Sequence, residues 1–184
     1  YSVKRKEIVG SEALVRWRDT DLTLISPGRF IPLFEKNGLI SHLDEYMFRN
    51  VCKQQAKWLE EGHQILPVSV NLSRATMYHE DIVERYCAIL EEYHLDSKYV
   101  QIEVTETVME GRIDIIQMLG KFRSLGIRVL MDDFGTGYSS LATHGMTCFD
   151  TLKLEKSLID HIGKEKGEML LSHVIKKKKK LGLH

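Results

Sequence analysis

Short β-rich runs alternate with longer amphipathic runs along the chain, and this alternation constrains the fold more than any other feature. Most of the β-rich runs are apolar on both faces, as strands covered by helices on both sides must be. Strand and helix in regular alternation predict an α/β fold with a parallel sheet and crossover helices. The predicted strands cover Ile8–Trp17, Ile65–Asn71, Tyr99–Thr105, Ile127–Met131 and Phe149–Leu154.

The amphipathic runs carry signals for helix starts and stops. Ser26 and Pro27 are typical of an N-cap followed by a first-turn proline. Ser41 is the predicted capping residue of the next helix. The predicted helices lie between Ser26 and Gly38, between Ser41 and Gly62, over Asp81–Tyr93, over Ile113–Leu125 and over Gly167–Leu181.

The composition predicts one globular domain over residues 1–184. The chain is 43% hydrophobic, which is typical of a protein with a core. Its 26 basic and 26 acidic side chains balance to a formal net charge of zero. Proteins that bind a nucleic-acid polymer through bulk electrostatics usually carry a basic excess. The charge balance therefore argues against such a partner, and any anionic ligand must be held by local cations.

No run approaches the roughly 20 apolar residues of a membrane span, and the N-terminal residues are polar and charged. The sequence therefore predicts a cytoplasmic domain and leaves open whether a parent protein is membrane-attached. The three cysteines are far apart and have no partner at metal-ligand spacing, so we expect reduced thiols. The eight histidines form no zinc-binding pattern.

Polar side chains follow or end the predicted strands. The carboxyl ends of parallel strands form the functional edge of α/β proteins. In the first strand we expect Glu12 and Arg16 on one face, because residues four apart in a strand point to the same side. The groups expected at this edge are Glu12, Arg16, Asn71, Glu103, Glu106, Asp132, Asp133 and Lys153.

So many carboxylates at one edge would repel one another unless cations lay between them. Oxygen ligands without thiolate or imidazole favour Mg²⁺ or Mn²⁺. The adjacent pair Asp132 and Asp133 suits a two-metal centre that polarises a phosphodiester and lowers the pKa of a bound water. Arg16 and Lys153 would supply the local positive charge.

Each of these residues also has a simpler interpretation. A single acidic residue at a strand end is most often a helix cap or a solvated charge. Asp133-Phe134-Gly135 also occurs as a magnesium-binding motif of protein kinases. The chain lacks the glycine-rich loop, the Val-Ala-Ile-Lys strand and the His-Arg-Asp loop that accompany it there. The recurrence of such groups at successive strand ends favours the metal site.

A series of motifs resembles the EAL domains, phosphodiesterases that cleave the bacterial second messenger cyclic di-GMP. The resemblance covers nearly the whole chain, and the aspartate loop is its most specific element. The motifs are Glu12-Ala13-Leu14-Val15-Arg16-Trp17, Ser26-Pro27 with Phe30-Ile31-Pro32, Asn71-Leu72-Ser73, Glu103-Val104-Thr105-Glu106, Asp132-Asp133-Phe134-Gly135-Thr136-Gly137-Tyr138, and Asp150-Thr151-Leu152-Lys153.

The resemblance implies a metal-dependent phosphodiesterase that releases linear pGpG. It implies that Glu12, Asn71, Glu103 and Asp132 bind one metal ion, and that Asp132 and Asp133 hold a second. Leu14 and Arg16 would bind cyclic di-GMP, Arg16 through a phosphate, and Lys153 would lie near the attacking water or the scissile phosphate. Glu106 would anchor the aspartate loop.

The same resemblance implies an architecture and partners. The expected fold is a modified (β/α)8 TIM-like barrel, incomplete at both ends in this chain, with a first strand before Tyr1 and closing strands after His184. The missing part would contain a further catalytic glutamate and a glutamine. A homodimer through the side of the aspartate loop is expected, and flanking sensory or GGDEF-type domains are compatible with it.

Some positions depart from the family pattern. Glu155 stands where the family usually has aspartate, Thr76 replaces a common glutamine, and Ala142–Cys148 matches poorly. Lys176–Lys180 is a run of five lysines, interpreted as a solvated helix face, with a membrane or nucleic-acid role as the alternative.

Two other functions stay open at this stage. The first is an inactive EAL domain that acts as a cyclic di-GMP receptor. The second is a structural or dimerising fragment that binds neither metal nor nucleotide.

Overall fold

The computed structural model describes residues 1–109, 113–134 and 148–156. The chain divides into two compact units, Tyr1–Ile102 and the residues from Glu103 onward. The first unit contains β1 (Ser11–Ala13), β2 (Trp17–Arg18), β3 (Leu24–Ile25), α1 (Pro27–Lys36), α2 (Ile40–Glu60), β4 (Val68–Asn71) and α3 (Ile82–Glu92). The strand β5 (Val100–Thr105) belongs to both units, and the second contains α4 (Ile113–Ser124), β6 (Arg128–Phe134) and β7 (Thr151–Leu154).

In the first unit, β4 lies between β1 and β5 in the sheet. β1 and β4 are parallel, with Ser11 opposite Val68 and Ala13 opposite Val70. Helices connect the successive sheet strands, as the alternation in the sequence predicts. Phe48 of α2 stacks on Tyr86 of α3 at a ring distance of 4.0 Å, and both rings are fully buried.

The prediction of one long first strand over Ile8–Trp17 is wrong. The sheet strand β1 ends at Ala13, and Trp17 belongs to β2, which pairs antiparallel with β3 in a separate two-stranded sheet. The Trp17 ring packs against Phe30 and Phe34 of α1 at 5.4 and 5.7 Å. This aromatic contact holds Trp17 against α1 instead of the β1 strand, so Glu12 and Arg16 do not share a strand face.

The helix α1 begins as predicted, with Ser26 at the N-cap position and Pro27 in the first turn. Its end is closed by the Leu39 N–H, which donates to Phe34 O at 2.8 Å, while Gly38 adopts φ +71°. These are the features of a glycine-based helix C-cap.

The prediction that Ser41 caps α2 is wrong. The helix begins at Ile40, so Ser41 lies inside its first turn. Ser41 is buried there, and its hydroxyl lies 3.2 Å from His79 Nε2. The reason is the tight turn at Gly38, since only three residues, Asn37 to Leu39, lie between the two helices.

In the second unit, β6 lies between β5 and β7 and is parallel to β7. The strand β6 runs three residues beyond the predicted end at Met131 and includes Asp132 and Asp133. The Asp150 carboxylate accepts hydrogen bonds from the Val129 N–H at 2.9 Å and from the Arg123 guanidinium at 3.0 Å. This ion pair ties the end of α4 to the beginning of the β6–β7 pair.

Several predictions lie outside the described residues. They concern the aspartate loop from Gly135 to Tyr138, the segment Ala142–Cys148 up to Thr147, the helix Gly167–Leu181 and the lysine run. Among the helices that the structure describes, none combines the length and the apolar character that a membrane span requires. The cysteines are free thiols, as expected, and burial raises the pKa of Cys52 to about 12.

Two glycines, one at the end of α1 and one inside α4, offer a matched test of backbone conformation. Gly38→Ala should lower the free energy of unfolding by about 1 kcal/mol, because a side chain is strained at φ +71°. Gly120→Ala should raise it by about 0.5–1 kcal/mol, because Gly120 lies inside α4 and a Cβ there meets no atom within 4 Å. Urea denaturation measures both changes, and a shift of the same sign in the two variants would contradict this assignment.

Candidate active site

In the first unit, Glu12 and Asn71 lie together. Glu12 is the central residue of β1, and Asn71 is the last residue of the neighbouring parallel strand β4. The Asn71 Nδ2 donates a hydrogen bond to Glu12 Oε1 at 3.2 Å. Both residues are exposed.

A buried carboxylate holds the segment that follows Asn71. Asp44 of α2 is 7% exposed, and its Oδ2 accepts the Ser73 N–H at 2.8 Å and the Thr76 hydroxyl at 2.6 Å. The Ser73 and Thr76 hydroxyls lie 2.9 Å apart. Thr76, the position that departs from the family pattern, is therefore part of a closed hydrogen-bond network.

Burial raises the pKa of Asp44, because a charged carboxylate loses its hydration there. Hydrogen bonds from Ser73 and Thr76 oppose part of this rise. The sequence analysis did not assign Asp44 a role. A signal for it exists in the sequence, since Asp44 and Gln55 are polar residues in the apolar stripe of Ile40, Phe48 and Val51.

In the second unit, Lys153 of β7 joins two carboxylates. Its Nζ donates to Glu103 Oε2 at 2.8 Å and to Asp132 Oδ2 at 3.2 Å. The Glu103 side chain is only 2% exposed, whereas that of Lys153 is 33% exposed. A buried carboxylate costs several kcal/mol unless a partner compensates it, and the Lys153 ammonium is that partner.

The same two carboxylates could also hold a cation. One oxygen of Glu103 and one of Asp132 lie within 4.8 Å of each other. Hard oxygen donors at such spacing fit Mg²⁺ or Mn²⁺. The donor chemistry in this unit therefore agrees with the metal predicted from the sequence.

The backbone around Asp133 is irregular. Asp133 adopts φ +53°, which is uncommon for a residue other than glycine, and the β6–β7 register shifts between Met131 and Phe134. The Asp133 N–H donates to Asp132 Oδ1 at 3.0 Å. A register shift together with a left-handed residue is typical of a β-bulge, which interrupts the regular strand beside the two aspartates.

The predicted substrate-binding residues lie in the loop after β1. Leu14 and Arg16 are both exposed, and Arg16 Nη1 donates to the carbonyl oxygen of Val15 at 2.8 Å. The guanidinium is therefore accessible to an anion. Its role in binding a phosphate stays a prediction.

Glu106 is buried and begins a short 3₁₀ turn directly after β5. The loop that it was expected to anchor lies outside the described residues, so this role stays a prediction. Glu155, the other departure near the site, donates its backbone N–H to Phe134 O at 3.3 Å. This bond extends the contact between the ends of β6 and β7 and does not involve the substituted side chain.

The folded chain is thus an α/β protein with carboxylates and a lysine near the carboxyl ends of neighbouring strands. A sequence model described as the EAL domain matches residues 1–184. The chain belongs to the EAL domain family. The resemblance seen in the sequence and the expected α/β fold class of that family are both confirmed.

Two curated relatives come from Pseudomonas aeruginosa. The cyclic di-GMP phosphodiesterase NbdA is 36% identical over 170 residues, which cover 92% of this chain and 22% of that protein. The bifunctional diguanylate cyclase/cyclic di-GMP phosphodiesterase MucR is 32% identical over 169 residues, 91% of this chain and 25% of that protein. The chain therefore spans a quarter or less of the length of these two relatives.

Solved structures show the same fold. The MucR phosphodiesterase in complex with c-di-GMP has a TM-score of 0.82 and 31% identity, over 94% of this chain and 70% of that chain. The EAL enzyme Bd1971 in its cGMP-bound form has a TM-score of 0.83 and 27% identity, over 98% of this chain and 51% of that chain.

The raised pKa of Asp44 predicts a pH dependence of stability. The folded state holds the Asp44 proton more tightly than the unfolded chain, whose value is close to 3.8. The contribution of this group to stability is therefore largest below that value and is lost as the pH rises through the folded-state pKa. The non-titrating variant Asp44→Asn should gain stability relative to wild type as the pH rises from about 3.5 to about 7.

Asp21 provides a control of the opposite sign. Hydrogen bonds from Thr23 lower the pKa of this exposed carboxylate, with the Thr23 N–H at 2.9 Å. Asp21→Asn should therefore lose stability relative to wild type over the same range. Urea unfolding at several pH values tests both variants. A stability difference between Asp44→Asn and wild type that is independent of pH would contradict the prediction.

Proposed function

We propose that this EAL domain is a metal-dependent phosphodiesterase that hydrolyses cyclic di-GMP to linear pGpG. The observation that carries the proposal is the group of Glu103, Asp132 and Lys153, where two carboxylates and one ammonium meet near the carboxyl ends of neighbouring strands. Relatives named as cyclic di-GMP phosphodiesterases support the reaction and the substrate. A cytoplasmic location is part of the proposal, since this substrate is a bacterial second messenger.

In the proposed centre, one Mg²⁺ or Mn²⁺ ion is held by Glu12, Asn71, Glu103 and Asp132. A second ion is held by Asp132 and Asp133. The oxygen donors of all five side chains support this assignment, since hard cations prefer such ligands. When bound, the ions supply a lowered pKa for a bound water and a polarised phosphoryl oxygen.

The remaining roles belong to side chains that carry positive charge or shape the site. Lys153 places a fixed ammonium beside the reacting phosphate and stabilises the charge that develops there. Arg16 binds a phosphate of the substrate through its exposed guanidinium. Leu14 provides an apolar contact next to it, and Glu106 anchors the aspartate loop.

The proposed assembly follows the family expectation. The domain would form a homodimer through the side of the aspartate loop. Flanking sensory or GGDEF-type domains would belong to the same polypeptide, as in MucR, whose name joins diguanylate cyclase and phosphodiesterase activities.

Substitution of the proposed ligands tests the reaction. Purified protein that contains the complete domain should convert cyclic di-GMP to pGpG in the presence of Mg²⁺, as measured by chromatography of the nucleotides. Glu12→Ala and Asp132→Ala should each lower kcat by roughly 10³-fold or more, because several kcal/mol of charge stabilisation are lost with the metal. Glu60→Ala, an exposed acid at the end of α2, is the control for the change in charge and should leave kcat unchanged.

Wild-type protein that binds cyclic di-GMP tightly without forming product would overturn the enzymatic proposal. That result would support the receptor function instead. Protein that binds neither Mg²⁺ nor the nucleotide would support the structural interpretation.

Lys153 predicts an effect on stability that is separate from activity. Lys153→Met should lower the free energy of unfolding in metal-free buffer by about 1–3 kcal/mol, since it removes the ammonium that pairs with buried Glu103 and with Asp132. Lys153→Arg keeps the positive charge, so its free energy of unfolding should fall by less. Added Mg²⁺ should reduce the loss of stability of Lys153→Met relative to wild type, as measured by urea denaturation. A loss that Mg²⁺ does not change would contradict the proposed cation site.

A further inference from the structure

We propose that Asp44 is a positioning residue, which fixes the backbone that follows Asn71 and thereby sets the affinity of the protein for its divalent cation. The inference rests on the proposed function, in which Asn71 is a metal ligand. Asp44 touches no substrate or metal in this scheme. It acts through the segment from Asn71 to Thr76.

The pairing between β1 and β4 ends before Asn71. The last residue of β4 paired with β1 is Val70, which lies opposite Ala13. Asn71 therefore stands one residue beyond this pairing, and its side chain is exposed. Its carboxamide donates to Glu12 Oε1 at 3.2 Å, a contact between two exposed side chains that is weak by itself.

The next fixed point along the chain is Ser73. Its N–H donates to Asp44 Oδ2 at 2.8 Å, and between Asn71 and Ser73 only Leu72 intervenes, whose side chain is buried. The Thr76 hydroxyl donates to the same Asp44 oxygen at 2.6 Å. Asn71 is thus held between the end of the β1–β4 pairing and a hydrogen-bonded anchor two residues later.

The chemistry of Asp44 fits a positioning role better than a packing role. The residues four positions before and after it on α2, Ile40 and Phe48, are buried and apolar. An apolar residue would fill such a position without the cost of burying a carboxylate. The carboxylate adds an acceptor for both the Ser73 N–H and the Thr76 hydroxyl. These two hydrogen bonds fix the backbone at Ser73.

Gln55 provides a matched control on the same helix. It is 1% exposed, and its amide donates to Leu66 O at 2.7 Å and to Tyr99 O at 3.2 Å. These carbonyls precede β4 and β5, so Gln55 holds the beginnings of the strands instead of the end at Asn71. Loss of either buried side chain removes two hydrogen bonds, but only loss of Asp44 releases the segment after Asn71.

The test measures Mn²⁺ affinity and thermal stability in parallel. The decrease of the free Mn²⁺ signal in electron paramagnetic resonance gives the Kd for wild type, Asp44→Ala, Asp44→Asn, Thr76→Val and Gln55→Ala. Asp44→Ala should raise the Kd about 10-fold or more, as is usual when the support of a metal ligand is removed. Asp44→Asn keeps an acceptor oxygen and should stay within about 3-fold of wild type.

Gln55→Ala separates positioning from general destabilisation. It should lower Tm by an amount comparable to Asp44→Ala but leave the Kd within about 2-fold of wild type. Thr76→Val removes one donor of the network and should weaken Mn²⁺ binding by an intermediate factor. If Asp44→Ala does not fold, the affinity of Thr76→Val tests the proposal.

The outcomes distinguish this inference from the proposed function. Wild type that binds no Mn²⁺ overturns the metal centre, and the Asp44 proposal with it. Wild type that binds Mn²⁺, with folded Asp44→Ala and Thr76→Val variants of unchanged affinity, overturns only the role of Asp44. Equal loss of affinity in Gln55→Ala also overturns it, because the effect would then follow stability alone.

Discussion

The protein keeps several carboxylates out of water, and the arrangement of the site depends on how each is compensated. A buried carboxylate without a partner would cost several kcal/mol, a large part of the stability of a small protein. Glu103 is compensated by the ammonium of Lys153, and Asp44 by the neutral donors of Ser73 and Thr76. In each case the partner comes from a different secondary-structure element, so the compensation also fixes the relative position of the elements that meet there.

These two ways of compensating a buried carboxylate have different chemical consequences. The neutral donors bring no opposite charge to Asp44, and burial raises its pKa. The carboxylate of Glu103 shares an ammonium with Asp132, so positive charge already lies where the proposed reaction needs it. The first arrangement suits a rigid support, and the second suits a centre in which a cation and an anionic substrate are exchanged.

Most of the secondary structure could be predicted because its signals are local. Helix α1 follows from Ser26 and Pro27, and β6 follows from an apolar run that begins after a glycine. The failures come from contacts that the signals for strands and helices do not include. The first strand is divided because Trp17 packs on α1, and the cap at Ser41 is displaced because Leu39 closes the preceding helix. Neither contact leaves a periodic pattern in the sequence.

The sequence by itself determined the α/β class, the family and the residue types available for chemistry, since these follow from periodicity, composition and short motifs. Only the tertiary structure decided that Lys153 joins Glu103 to Asp132, that Asp133 lies in a strand bulge, and that Asp44 anchors the chain after Asn71. The physical reason is that hydrogen bonds and ion pairs between residues far apart in the chain form only when the two atoms are placed to within a few tenths of an ångström. Such distances are set when the strands and helices pack, and no pattern along the sequence encodes them directly.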